Sequence, residues 1–289
     1  MRQLVVISGK GGTGKTTVAA ALAQLLGPVV LADCDVEAPN LRIVFPYLEQ
    51  RSFDIQVSRK AAIDPDECTA CGLCVEHCRF QAITPDSPYR IEPTSCEGCG
   101  VCKLVCPSEA VTFGMTIGAR VSQMETSYGP LVEGRLAMGE EASGKVVTRV
   151  RMEAQLIATE QGFELIIIDG SPGTGCPVIA SLTGSDLALV VTEPTLSGRH
   201  DLERILRVTS HFSLPALVCL NKSDLNEQVA EDIVQLCEEC GVRVAAEIPF
   251  NTEVVDVLRR VIPPIGNVPS EVEGPLRELA SAVTGQLGI

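Results

Sequence analysis

The stretch ISGKGGTGKTTV, residues 7–18, leaves a chain few folds to choose from. Gly9-x-x-x-x-Gly14-Lys15-Thr16 has the spacing of a P-loop. Gly11, Gly12, Thr13 and Gly14 let the backbone curl until successive N–H groups face one anion. Lys15 then reaches the β- and γ-phosphates, and Thr16, followed by Thr17, brings a hydroxyl to Mg²⁺. The flanks agree. Leu4-Val5-Val6-Ile7 is an apolar run of strand length, and the stretch from Lys15 to Leu26 repeats Ala and Leu at helical spacing, so the loop opens a helix at its phosphate-attracting end.

Further apolar runs at 29–32, 165–168, 188–192, 216–220 and 242–248 read as buried strands, and 147–161, 198–212, 227–240 and 271–287 as helices. Strands alternating with helices, with acids and glycines at the strand ends, specify an α/β fold with a doubly wound, mainly parallel sheet: a P-loop NTPase domain. Three strand ends carry chemistry. Asp33-Cys34-Asp35 follows the second strand, beside the P-loop strand. Asp169 ends an all-apolar strand, the form that delivers a carboxylate to Mg²⁺ together with Thr16, and the glycine-rich 170–175 after it suits a loop that senses a γ-phosphate through N–H groups. Asn221-Lys222-Ser223-Asp224 matches the NKxD base-reading motif, so Asn221 and Asp224 are expected at the base, with Pro249 in the loop beside it. Glu193-Pro194-Thr195 lies at another loop on the same edge. The connection 139–145 is read as polar and irregular, and 120–136 as a hairpin turning at Tyr128-Gly129-Pro130.

Thirteen cysteines with no export signal ahead of the first strand point to metal or redox chemistry in a cytoplasmic protein rather than to disulfides. Eight of them form a repeat. Cys68-x2-Cys71-x2-Cys74-x3-Cys78 recurs 28 residues on as Cys96-x2-Cys99-x2-Cys102-x3-Cys106-Pro107, and the flanks IDPDEC and IEPTSC recur with it. Three cysteines at this spacing wrap one face of a cubane, and the fourth ligates the neighbouring cluster. Cys68, Cys71, Cys74 and Cys106 are therefore expected to hold one 4Fe-4S cluster, and Cys96, Cys99, Cys102 and Cys78 the second; zinc on the same CxxC pairs is the rival reading. So small a segment draws much of its folding energy from what it binds. It is drawn as an inserted small α+β domain at 60–114, splitting the NTPase domain into 1–59 and 115–289. The Cys237/Cys240 pair and Cys176 are read as small packing residues.

A formal charge of −14 and 3% aromatic residues without Trp exclude nucleic acid as an expected partner. No apolar run reaches the ~18 residues of a membrane span, and the last helix holds a single basic residue, Arg277, so no membrane anchor is expected.

The KGGTGKTT string, with its second lysine at Lys10, resembles the deviant P-loop of the MinD/ParA/Mrp and nitrogenase iron-protein class. That resemblance implies ATP as the nucleotide, with GTP left open by Asp224, and a homodimer formed on nucleotide binding in which Lys10 reaches the partner's phosphates. The DCD pattern running on to Asn40 resembles the switch I of MinD-like ATPases, which implies that Asp35 orients the attacking water while Asp33 assists metal and loop. DGSPGTGC resembles the DxPPGTGD switch II of Mrp/ApbC-type carriers, with Ser171 for the first proline and Cys176 for the last acid. The cysteine segment resembles bacterial two-cluster ferredoxins over about 50 residues, departing at Arg79 where they carry proline.

Two functions follow as expectations. One is an ATPase, with Lys10, Lys15, Asp33, Asp35 and Asp169 as its catalytic set, that couples nucleotide state to electron transfer to a redox partner. The other is a factor that assembles iron-sulfur or other metal clusters and delivers them to an accepting protein. A MinD/ParA-like positioning switch is the third reading; it leaves the cysteines unexplained.

Overall fold

The computed structural model describes residues 1–86, 88–141 and 144–289, so the Ala142-Ser143 part of the expected polar connection lies outside the described residues. In chain order the elements are β1 (Arg2–Ser8), α1 (Lys15–Leu26), β2 (Val30–Asp33), α2 (Leu41–Val44), β3 (Tyr47–Ile63), α3 (Leu73–Glu76), β4 (Ile83–Thr84), β5 (Arg90–Ile91), α4 (Val101–Leu104), β6 (Val111–Thr126) and β7 (Gly129–Leu136). There follow α5 (Gly144–Gln161), β8 (Leu165–Pro172), α6 (Cys176–Leu182), β9 (Leu187–Thr192), α7 (Leu196–His211), β10 (Ala216–Asn221), α8 (Glu227–Glu239), β11 (Arg243–Ile248), α9 (Thr252–Arg259) and α10 (Ser270–Leu287).

The strands lie in the order β11-β10-β9-β1-β8-β2-β7-β6-β3, and the pairs from β11 through to β7 are parallel. Strands buried on both faces need no alternation, and β1, β2, β8 and β9 are almost continuously apolar for that reason. Leu4, Val6, Leu31, Ile167 and Leu189 face one core with α1, α2 and α10. Their neighbours Val5, Ile7, Ile168 and Val190 are equally buried toward the other face, and α5, α6 and α7 pack against β2, β8 and β9. The sheet order reverses at β1, flanked by β8 and β9, and ligands of open α/β sheets bind beyond the strand ends at such a point.

By contact the chain divides into two units. Met1–Ser52, Val121–Arg135 and Ala142–Ile289 form the first, and Phe53–Arg120 with Leu136–Glu141 the second. These limits lie outside the 60–114 drawn from composition, because β3 and β6 run through the points where the cysteine-rich composition starts and stops. Several elements had no sequence expectation, the long strand β3 and helix α9 among them. β3 carries five charged residues among its 17, which hides a strand; α9 is only eight residues long, with Val254, Val257 and Leu258 half-buried against the main core.

Inside the second unit the repeat is built into the backbone. Ala70, Gly72 and Gln81 have positive φ, and so do Gly98, Gly100 and Glu109, each 28 positions later. Gly72 and Gly100, at φ +85 and +88, open the one-turn helices α3 and α4. That left-handed region is where glycine is favoured.

Candidate functional site

Between β1 and α1 the P-loop holds its expected shape. Gly14 sits at φ +94, where a side chain would also run into the Asn221 amide, and a side chain at Gly9 would overlap Asp201. Lys15 and Thr16 converge on Asp169: Lys15 Nζ donates to Asp169 Oδ1 at 2.6 Å, and Thr16 Oγ1 to Oδ2 at 2.7 Å. The three residues assigned to phosphate and Mg²⁺ thus stand together at the ends of β1 and β8. Lys15 is buried, which alone would lower its pKa, but the carboxylates of Asp169, Asp35 and Asp33 raise it further, so it stays a cation.

Asp35 Oδ2 lies 3.6 Å from Lys15 Nζ. Burial raises its pKa, reinforced by Asp169 and opposed by Lys15. Asp33 is fully buried, and both its oxygens are engaged by backbone: Oδ1 accepts from Asp35 N at 3.1 Å, Oδ2 from Asn40 N and Leu41 N at 2.9 Å each. These bonds tie Asp33 to the loop that follows β2. Desolvation and the neighbouring Asp169 push its pKa well up, against those N–H donors and Lys15. Ser171, where the resembled pattern has proline, donates its hydroxyl to Cys34 O at 2.7 Å and ties the loop after β8 to the end of β2. Gly173 N donates to Ser8 O at 2.8 Å.

On the base side, Asn221 Nδ2 donates to Thr13 O at 2.7 Å, and Asp224 Oδ1 accepts from Phe250 N at 2.6 Å, beside Pro249. Asp224 thus anchors the loop after β11 with one of its oxygens. Lys10 Nζ is held within its own chain by Glu193 Oε1 at 2.7 Å and by the Thr195 and Ser197 hydroxyls at 3.0 Å each. Glu193 also takes Lys222 Nζ at 2.8 Å, and Lys222 reaches back to Gly12 O at 3.0 Å. Burial would raise the Glu193 pKa, but its hydrogen bonds and charge pairing with the two lysines lower it overall. Sequence reading placed Glu193 near the site without a role; its two lysine partners come from loops distant in sequence. It missed Glu133 altogether. Glu133 sits on β7 directly across from Asp33 on β2, 3% exposed.

In the second unit each foursome of cysteines surrounds one void. Cys68, Cys71, Cys74 and Cys106 line one small cavity with Ile63, Ala110 and Val111; Cys96, Cys99, Cys102 and Cys78 line another with Ala61, Ile91 and Phe113. Backbone N–H groups point at the sulfurs at matching places, Val75 toward Cys74 and Lys103 toward Cys102, although burial still raises both thiols. Burial also works on Cys106, but the Ser108 hydroxyl and nearby N–H groups outweigh it and lower that thiol. Lys60, buried, donates to Cys96 O at 2.8 Å and stands 3.4 Å from Glu140 Oε1, which also accepts from the Ser58 hydroxyl at 2.9 Å. Among the described residues no three His, Cys, Asp or Glu side chains converge closely enough to hold a single metal ion.

Two expectations about the remaining cysteines need correction. Cys176 is exposed rather than buried, because it opens α6 while Val178, Ser181 and Leu182 form that helix's buried face. Cys237 packs inward with Ile233 and Leu236 as expected, but Cys240 lies at the helix cap and is exposed. No helix among the described residues is long and apolar enough to cross a membrane.

A parallel sheet with this loop at its switch point, closed by Lys15, Thr16 and Asp169, defines a P-loop nucleotide-binding protein. More narrowly, the chain belongs to the CobQ/CobB/MinD/ParA nucleotide binding domain family, which residues 4–265 match. Two uncharacterized proteins of Methanocaldococcus jannaschii are 35% and 30% identical over 227 and 233 residues, covering 78% of this chain in each case and 79% and 82% of theirs. Among solved structures, the cell division ATPase MinD of Pyrococcus furiosus superposes with a TM-score of 0.58 at 21% identity, covering 98% of each chain. MinD of Pyrococcus horikoshii, complexed with Mg-ADP, gives 0.58 at 19% identity over 99% of this chain and 97% of that one. At such identities these structures share the fold.

Proposed function

We propose that this chain is an ATP-hydrolysing protein that dimerises on nucleotide and couples nucleotide state to electron transfer through two 4Fe-4S clusters held in its second unit. The observation that carries the reading is the grouping of eight cysteines around two voids, four to each, with the fourth member of each set drawn from the other half of the repeat. Zinc requires four sulfurs about 2.3 Å from one point. Sulfurs ringed about a void suit a cubane, which brings its own body into the space, and the apolar lining and aimed N–H groups suit its bridging and terminal sulfurs. Cys68, Cys71, Cys74 and Cys106 would hold one cluster and Cys96, Cys99, Cys102 and Cys78 the other, supplying one-electron chemistry.

In the first unit, Lys15 would exchange Asp169 for the β/γ-phosphates, leaving Asp169 and Thr16 to hold Mg²⁺ between them. Asp35, 3.6 Å from Lys15 Nζ, would orient the attacking water. Lys10 would have to leave Glu193 before it could reach a partner's nucleotide, which ties dimer formation to the loss of an ion pair within the chain. ATP is the nucleotide of this reading; with one oxygen of Asp224 engaged by Phe250 N, guanine recognition would compete with a loop anchor.

Cluster delivery to an acceptor is the second reading, favoured by the exposed Cys176. A MinD-like positioning role is the third, favoured by the structural neighbours. Anaerobic purification with iron and sulfide quantified per chain, alongside ATP hydrolysis, separates them. About eight irons that stay bound on incubation with an apo-ferredoxin support electron transfer. Loss of iron to the acceptor supports delivery, and hydrolysis with no iron leaves the positioning role.

A further inference from the structure

Glu133 is a buried carboxylate that none of the steps above employs. It stands within β7, across from Asp33 on β2, and Asp33 stands across from Asp169 on β8, so three carboxylates occupy one level of three adjacent strands. Asp33 fixes the start of the following loop through Asp35 N and its far end through Asn40 N and Leu41 N. The next residue is Arg42, whose Nε lies 3.3 Å from Glu133 Oε2. That is close enough for strong attraction, but the N–H is not aligned, and Oε2 has no hydrogen-bond partner among the described residues. Arg135, 3.8 Å from Oε1, and Glu49 are the other charges nearby.

We propose that Glu133 is a positioning residue for nucleotide hydrolysis, holding the far end of the loop between Asp33 and Arg42 through Arg42 and so setting the approach of Asp35 to the phosphate site. Asp33 pins both ends of the loop through backbone N–H groups, and Glu133 attracts Arg42 just beyond its far end. With Arg42 free, Asp33 alone would hold the loop, and Asp35 would be less closely fixed beside Lys15. The P-loop itself is untouched by the pair, so nucleotide affinity is set elsewhere. Burial pushes the Glu133 carboxyl up to about 7, against the pull of Arg42 and with the help of Glu49, so its grip on Arg42 strengthens across neutral pH. The charged groups facing it are Arg42 from α2, Arg135 from its own strand, Glu49 from β3 and Asp33 from β2.

This inference rests on the ATPase reading, and the test keeps the two apart. ATP hydrolysis by the full chain is measured from pH 5.5 to 8.5 for wild type, Glu133→Gln, Arg42→Gln and the double variant, with circular dichroism to show that each is folded. Amide hydrogen exchange of residues 34–42 is followed in parallel. The expected result is a several-fold loss of kcat in each single variant with KM for ATP within two-fold, and loss of the wild-type rise in kcat near pH 7. The double variant should be no worse than either single, and exchange of 34–42 should be faster in all three. Additive losses, an unchanged pH profile or unchanged exchange overturn the inference. Absence of hydrolysis in the wild type overturns the ATPase reading, and the exchange of 34–42 then still decides whether Glu133 holds the loop.

Discussion

Replacing Glu133 by Gln should stabilise the protein at high pH even as it slows hydrolysis. An acid whose pKa is raised by folding favours its neutral form in the native state. Its contribution is therefore fully present below the unfolded value and is lost as pH rises through the folded one. For Glu133 the two values are 4.5 and about 7. At ~1.4 kcal/mol per unit, that separation makes the wild type about 3 kcal/mol less stable at pH 8 than at pH 4 through this one group. Gln has the same shape and no charge to bury, so the difference between the two proteins should be small at pH 4.5 and approach about 3 kcal/mol in favour of Glu133→Gln at pH 8. Urea unfolding of both proteins at intervals across that range, followed by circular dichroism, reads the difference directly. A variant less stable than wild type at pH 8 would refute the reasoning, since attraction to Arg42 would then outweigh desolvation. The combination of higher stability with lower turnover is what a carboxylate kept for function should give.

Other consequences can be read from single contacts. Lys10→Ala should abolish ATP turnover while leaving the iron content of the second unit unchanged; turnover at the wild-type rate would remove the role of Lys10 across a dimer. Glu193→Ala removes the carboxylate paired with both Lys10 and Lys222, and should lower the nucleotide concentration at which dimers appear in analytical ultracentrifugation; a higher threshold would show that Glu193 supports the assembled state instead. Cys78→Ser and Cys96→Ser should remove the same half of the iron and the same EPR signal, and Cys106→Ser and Cys68→Ser the other half. If Cys78 grouped with Cys68 instead, the crossed ligation would be wrong.

Much of the fold could be read from residues because local and global signals coincide there. The runs ahead of Gly9, Asp33 and Asp169 are apolar on both faces and end in glycine or acid, as parallel strands buried in an α/β sheet must. The cysteine grouping was legible because a 28-residue repeat fixes the same turns twice, at Gly72 and again at Gly100. The long strand β3 was hidden for the opposite reason: much of it is exposed and charged, so neither alternation nor an apolar run marks it, while the hairpin expected at 120–136 caught only the last part of β6, inside which the composition boundary near 114 falls. Glu133 and Glu193 carry no motif. Their significance lies in which residues the sheet brings opposite them, Asp33 and Arg42 in one case and two lysines in the other, and that depends on strand order rather than on spacing.

The central claim is that nucleotide state and redox state are coupled. It is tested most directly by EPR-monitored redox titration of the anaerobic protein, with and without a non-hydrolysable ATP analogue. About eight irons per chain, with a midpoint potential or line shape that changes when the analogue is bound, is the predicted result. Eight irons with signals indifferent to nucleotide, in protein that demonstrably binds the analogue, would contradict it.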